Sequence, residues 1–174
     1  MQTQALRIAV ERGAVPRGDF VFLSIDANGS LGAVNRYVLQ TLDEDLSTLP
    51  GREELVPGYA VRETSKGTLV YIVTVGALSV SENLARNFQA ALNSLPIRNG
   101  HSLWIPLMGT GSGRLPPLVS LTAILDAVLK NPTLGEAGAQ VTISAPGDMS
   151  GSEFETLVQY ARGRTQPRNA DATE

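Results

Sequence analysis

Between Leu103 and Pro117 the chain reads Leu-Trp-Ile-Pro-Leu-Met-Gly-Thr-Gly-Ser-Gly-Arg-Leu-Pro-Pro, an apolar run that stops at three glycines spaced two apart. A loop of small residues between a buried strand and a helix leaves backbone N–H groups unpaired and unshielded, which is what a phosphate requires. Gly109, Thr110, Gly111, Ser112 and Gly113 are therefore candidate phosphate ligands through their main chain. Arg114 follows as a cation suited to a phosphate or another anionic group. A second loop of this kind, Gly29-Ser30-Leu31-Gly32, comes after an apolar stretch whose end carries Ser24, Asp26 and Asn28. Together the two loops offer several donors to a diphosphate, each charge-assisted bond being worth roughly 1.5–3 kcal/mol. Three roles are open to Asp26: a general base, a ligand for a sugar hydroxyl, or a cap for the following helix.

Other chemistries fit less well. The late loop has no Gly-Lys-Ser/Thr ending and its glycines lie two apart throughout, unlike a nucleotide-kinase loop or a dinucleotide fingerprint. One histidine, His101 after Asn99-Gly100, and no cysteine leave little for a zinc site, so neither metal nor cofactor is expected. Trp104 reads as core, and the acidic segment from Asp43 to Glu54 as solvated surface.

The elements that must hold these loops follow from periodicity. Leu6 to Val10 alternates and predicts a first strand, followed by a turn-like segment from Gly13 to Gly18. Asp19 to Asp26 is apolar nearly throughout and predicts a central strand; Val34, Tyr37, Val38 and Leu42 then mark one face of a helix. The punctuated stretch from Asp43 to Gly58 predicts a surface loop with at most a helical turn. Tyr59 to Thr64 and Thr68 to Val75, joined around Gly67, predict a hairpin leading into a buried strand.

Ser79 with Glu82 is a capping-box pattern before a helix whose inward face is Leu84, Phe88, Ala91 and Leu92, stopped by Pro96. After the glycine loop, Pro116 and Pro117 suit a first helical turn, and Leu118, Leu121, Ile124, Leu125 and Val128 recur at helical spacing. A breaker-rich connection from Asn131 to Gly138, a last strand at Val141 to Ser144 and a helix capped by Ser150 and facing inward through Phe154, Leu157 and Val158 complete the pattern. Strands alternating with helices predict an α/β domain with a largely parallel sheet covered on both faces, and such sheets bind ligands where their strands end.

At 174 residues, with 43% hydrophobic and 18% charged residues, the chain has the composition of one globular domain, expected over residues 1–162 with a flexible polar tail at 163–174. No apolar run approaches the roughly 20 residues of a membrane-spanning helix. The start has neither the basic leader nor the apolar block of a signal peptide, so a cytoplasmic location is expected. A net charge of −3 without a Lys/Arg run argues against a broad nucleic-acid surface.

Three stretches together resemble the macro domain family: Val56 to Val61 leading to Tyr71 to Gly76, then Ile105 to Gly113, then the closing strand and the helix bearing Phe154. The likeness covers about residues 5–162. It implies a three-layer α/β/α sandwich around a mixed sheet, with a cleft for ADP-ribose or a related nucleotide. Carried over, Gly109 to Gly113 match the loop holding the diphosphate, and Gly29 to Gly32 the loop closing from the opposite side. Asp19 is the nearest candidate for the acidic residue that takes the adenine amino group.

The departures bear on mechanism. Hydrolytic members read Asn-Ala-Ala-Asn where this chain has Ser24-Ile25-Asp26-Ala27-Asn28, and the aromatic often found after the second loop glycine is replaced by Ser112-Gly113-Arg114. The resemblance thus implies a reader or sensor of ADP-ribose or a modified form of it, with an ADP-ribosyl hydrolase or ADP-ribose ester deacetylase as the alternative. A narrower implication is the sensor part of a Thoeris-type antiviral system, fused to or partnered with an effector domain.

Overall fold

The computed structural model describes residues 4–166. Six strands form one sheet: β1 (Arg7–Arg12), β2 (Phe20–Asp26), β3 (Tyr59–Thr64), β4 (Gly67–Val75), β5 (Ser102–Pro106) and β6 (Gln140–Ala145). Their spatial order is β1-β6-β5-β2-β4-β3, with every pair parallel except β3 and β4. The helices are α1 (Ala33–Thr41), α2 (Val80–Ser94), α3 (Pro117–Lys130), α4 (Pro132–Glu136) and α5 (Gly151–Thr165), with a 3-10 turn at Leu46–Thr48.

The apolar strands face two cores, which is why their sequences lack polar alternation. Phe20, Phe22, Val70, Ile72, Leu103, Ile105, Val141 and Ile143 pack with α2, α3 and α5. Their neighbours Val21, Leu23, Ile25, Leu69, Tyr71, Val73 and Trp104 pack on the other face with Val38 and Leu39 of α1 and with Leu42 and Leu55. The result is a three-layer α/β/α sandwich around a mixed, largely parallel sheet, as expected. The Tyr71 hydroxyl and Trp104 Nε1 in this second core have no hydrogen-bond partner among the described residues. Burial pushes the Tyr71 pKa up to about 12.

Several expectations are corrected. The segment from Gly13 to Gly18 is no turn. It runs from the end of β1 to the start of β2, because two parallel strands are joined end to start and this crossover contains no helix. Pro16 on it is buried, and Ala14 packs against the core that holds Trp104. On α1, Val34 and Tyr37 are exposed and the buried positions are Asn35, Val38 and Leu39. Leu118 is likewise exposed, whereas the other four apolar positions expected on α3 are buried.

Within the connection 131–138, Asn131 caps the short α4 by accepting the Leu134 N–H on Oδ1 at 3.1 Å. Of the inward positions expected on the last helix, Leu157 is buried and Phe154 and Val158 are half-buried. Helix α5 continues to Thr165, past the expected start of the tail, with Arg164 tied to Asp126 and to Tyr160 Oη. The rest of that tail, from residue 167, lies outside the described residues.

Candidate functional site

Order in the sheet reverses between β5 and β2. Helix α1, after β2, covers one face, and α3, after β5, covers the other. Such a switch point leaves a crevice beyond the strand ends. Here the crevice is widened, because β2 pairs with β5 only at Phe20 and Val21 while it pairs with β4 along its whole length. The seam hands the Ser24 N–H to a side chain. It donates to Asn35 Oδ1 at 3.1 Å, and Asn35 Nδ2 donates to Ser24 Oγ at 3.3 Å, so Asn35 is buried and sets the face that α1 turns inward.

The two glycine loops flank this crevice. In the later one, the Thr110 hydroxyl donates to Leu107 O at 2.8 Å, and a turn closes through Arg114 N–H to Gly111 O at 3.0 Å and Leu115 N–H to Gly109 O at 2.8 Å. Six consecutive amides, from Met108 to Gly113, have no acceptor among the described residues. The three glycines differ in what they do. Gly109 has φ +80° and a Cβ there would lie 2.8 Å from Val80 Cγ1, while at Gly113 it would lie 2.7 Å from Gly109 O. Both are required by the chain's own packing. Gly111 has nothing within 4 Å of a Cβ and is exposed, so no internal packing requires a glycine there.

The earlier loop is folded onto Asp26. Asp26 Oδ1 accepts the N–H groups of Asn28 and Ser30, both at 2.9 Å, Asp26 O accepts that of Gly29 at 3.0 Å, and the Ala27 N–H goes to Val75 O. The expectation that this loop offers its amides is met only from Leu31 onward, through Gly32 and the first turn of α1, which lack acceptors among the described residues. The Asp26 carboxylate does not cap α1, whose start at Gly32 has no side-chain cap, but braces the loop, a role not among the three expected of it.

The helix ends repeat the contrast. Helices α2 and α5 are capped by Ser79 and Ser150 and carry Glu82 and Glu153 in their first turns. Helices α1 and α3, behind the glycine loops, begin at Gly32 and Pro116 with no side-chain cap and no acidic residue in the first turn. Their positive dipole ends are unneutralised by the chain itself, a setting that favours an anion. The segment after β4 joins the two loops: Val80 fills the space beside Gly109 and Gly113, and Gly76 packs against Ala27. Asn83 holds this segment through Nδ2, which donates to Thr74 O and Leu78 O. In the sequence Asn83 and Val80 read as ordinary positions of a capped helix, with no local signal of this role.

No protein-family model matches the sequence, and no curated protein matches it. Solved structures do. A Trypanosoma brucei macrodomain in complex with ADP-ribose superposes with a TM-score of 0.60 at 17% identity, over 89% of this chain and 69% of that one. A mutant of the Oceanobacillus iheyensis macrodomain gives 0.65 at 11% identity over 94% and 97% of the two chains. The macrodomain of Mycobacterium tuberculosis DarG gives 0.59 at 14% identity over 79% and 97%. The chain also matches an alphavirus P23pro-zbd structure, of which it spans 26%. The fold is that of a macrodomain.

Within this fold, Ser24, Asp26, Asn28, Gly29, Ser30, Leu31 and Gly32 gather on the β2 side of the crevice and Gly109 to Arg114 on the β5 side. Asp19 does not join them. It immediately precedes β2, so it lies at the opposite edge of the sheet, a strand length of seven residues away. There its carboxylate accepts the Ser102 N–H at 2.8 Å and the Ser102 hydroxyl at 3.1 Å, and the first of these bonds does most to hold its pKa below the usual range. A residue that opens a parallel strand cannot reach a crevice formed where the strands end.

Asp19 borders an open cavity of about 580 Å³ with Lys66, Arg98 and His101. Two of its polar side chains are engaged within the chain: Lys66 Nζ donates to Leu42 O, and His101 Nδ1 accepts the Arg98 N–H. The crevice between the loops, with its run of unengaged donors, is the stronger candidate. Among the described residues no cluster suited to a metal ion occurs, and no helix is long and apolar enough to cross a membrane.

Proposed function

We propose that this macrodomain binds ADP-ribose, or a modified ADP-ribose that serves as a signal, and acts as a reader rather than a hydrolase. The observation that carries the reading is the run of six amides from Met108 to Gly113 with no acceptor among the described residues, in the loop after β5, beside β2 with its uncapped helix α1. Neutral donors fixed by a strand end and a helix start bind a diphosphate without reorganising. In this reading Gly109 to Gly113 hold the diphosphate, Leu31 and Gly32 close over it, and Ser24, Asn28, Gly29 and Ser30 shape the β2 wall. The ADP-ribose and ADP complexes of the trypanosomal macrodomain support the choice of ligand.

Against hydrolysis or ester deacetylation stands the employment of Asp26. A general base needs a carboxylate directed at water, and this one already accepts two amides on one oxygen. Calorimetric titration with ADP-ribose tests the binding, and incubation with ADP-ribosylated protein tests turnover. Saturable heat without release of ADP-ribose is the expected result. Time-dependent release, abolished by Asp26→Ala, would establish the hydrolase instead. The Thoeris-type sensor, with an effector partner, is a narrower form of the same reading. It requires an amino-acid conjugate of ADP-ribose to bind at least about tenfold more tightly than ADP-ribose itself, roughly 1.4 kcal/mol.

A further inference from the structure

Arg114 is unlike the rest of its loop. Only two non-glycine residues among those described have left-handed backbone, Asp43 at φ +55° and Arg114 at φ +53°. Aspartate tolerates that region because its short polar side chain bonds locally, whereas arginine has no such compensation. The left-handed turn redirects the chain after Arg114 so that Leu115 N–H reaches Gly109 O. A glycine would make the same turn without strain, and the glycine beside it, Gly113, is needed for a different reason, the close approach of Gly109 O. The arginine side chain is exposed, and among the described residues no hydrogen bond or ion pair engages it. The arginine side chain thus makes no bond among the described residues that would favour it over glycine at this position.

We propose that Arg114 is a specificity-determining residue. On the proposed binding of ADP-ribose, from which this follows, it selects derivatives carrying a further anionic group beyond the diphosphate. The amides that meet the diphosphate are neutral. Arg114 is the one formal cation in the two loops, from Asp26 to Gly32 and from Gly109 to Pro116. Discrimination between two phosphates and a third anionic group therefore falls to its guanidinium, whose planar fork suits phosphate or carboxylate.

The experiment compares ADP-ribose, ADP-ribose phosphorylated on the terminal ribose and ADP-ribose phosphorylated on the adenosine ribose, each titrated into the full chain and into Arg114→Gln and Arg114→Gly. The native chain is expected to bind one of the phosphorylated ligands at least about tenfold more tightly than ADP-ribose, and which one places the extra anion. Arg114→Gln, which keeps the strained backbone, brings that ratio close to one. Arg114→Gly does the same and raises the melting temperature of the unliganded protein by about 2–4 °C, because it relieves the strain. A native chain that binds both phosphorylated ligands no more tightly than ADP-ribose, or a Gln variant that keeps the ratio, overturns the assignment while the reader function stands. Absence of binding to all three ligands overturns both.

Discussion

The two glycine loops share a place in the fold, each following a parallel strand and preceding a helix with no side-chain cap, yet they use their amides in opposite ways. The loop after β2 spends the N–H groups of Asn28, Gly29 and Ser30 on Asp26, and the loop after β5 spends none between Met108 and Gly113. The difference comes from one residue type. A carboxylate at the end of β2 draws the following amides into an Asx turn, whereas β5 ends at Pro106 and is followed by Leu107 and Met108, none of which has a side-chain acceptor of that kind. A Gly-rich loop is thus a donor array only when no nearby side chain has claimed the donors.

The widest test of this contrast places the same carboxylate in each loop. Gly111 and Gly32 both have open space where a Cβ would stand, so substitution at either leaves the packing intact. Gly111→Glu, which puts a negative charge among six free amides, is expected to lower ADP-ribose affinity by a factor of more than about 100, roughly 2.7 kcal/mol, with little change in melting temperature. Gly32→Glu is expected to cost about tenfold, since fewer donors face the ligand there. Equal losses, read by titration calorimetry, would erase the asymmetry.

Gly109→Ala probes how the later loop is kept open. Its left-handed backbone and the 2.8 Å approach to Val80 Cγ1 predict a destabilisation of about 2 kcal/mol, seen as a lower midpoint in urea. A midpoint shift below a quarter of that would mean that the loop is not held by Val80. Asp26→Ala is the matching change in the earlier loop, and the loss of a carboxylate accepting two amides predicts about 1–2 kcal/mol. It also frees Asn28 and Ser30 N–H for a ligand, so ADP-ribose affinity is expected to fall by no more than the residual disorder of the loop dictates.

Much of this was legible in the sequence because the signals are local. Ser79 and Ser150 cap their helices as their spacing with Glu82 and Glu153 indicates, Pro106 stands where the ladder ends, and Trp104 is core. What was not legible depends on partners distant along the chain. The buried side of α1 is set by Asn35 meeting Ser24 across the seam, so Val34 and Tyr37, apolar and helically spaced, face water instead. The amides consumed by Asp26 are invisible to composition, since Asp26-Ala27-Asn28-Gly29-Ser30 reads equally as a free loop or a braced one. The crossover from β1 to β2 misleads for the opposite reason: glycine and proline mark it as a turn, while the sheet order requires it to travel the length of the strands.

Asp19 gives the smallest expected effect and the sharpest control, because it is a second carboxylate that accepts a backbone amide but at the other edge of the sheet. Its carboxylate receives the Ser102 N–H and hydroxyl, and these bonds keep its pKa below the ordinary value. A lowered folded-state pKa means that the charged form stabilises the fold at pH values above the unfolded pKa of about 4, and that this contribution is lost as pH falls through the folded value. Asp19→Asn should therefore be less stable than the native chain at pH 7, by no more than about 1 kcal/mol since the group is exposed, and the gap should close as pH falls through the lowered folded-state value. ADP-ribose affinity should be unchanged in this variant at pH 7. A loss of affinity there, with stability intact, would put Asp19 in contact with the ligand and would require the crevice to lie at the amino edge of the sheet, beside the cavity lined by Lys66, Arg98 and His101.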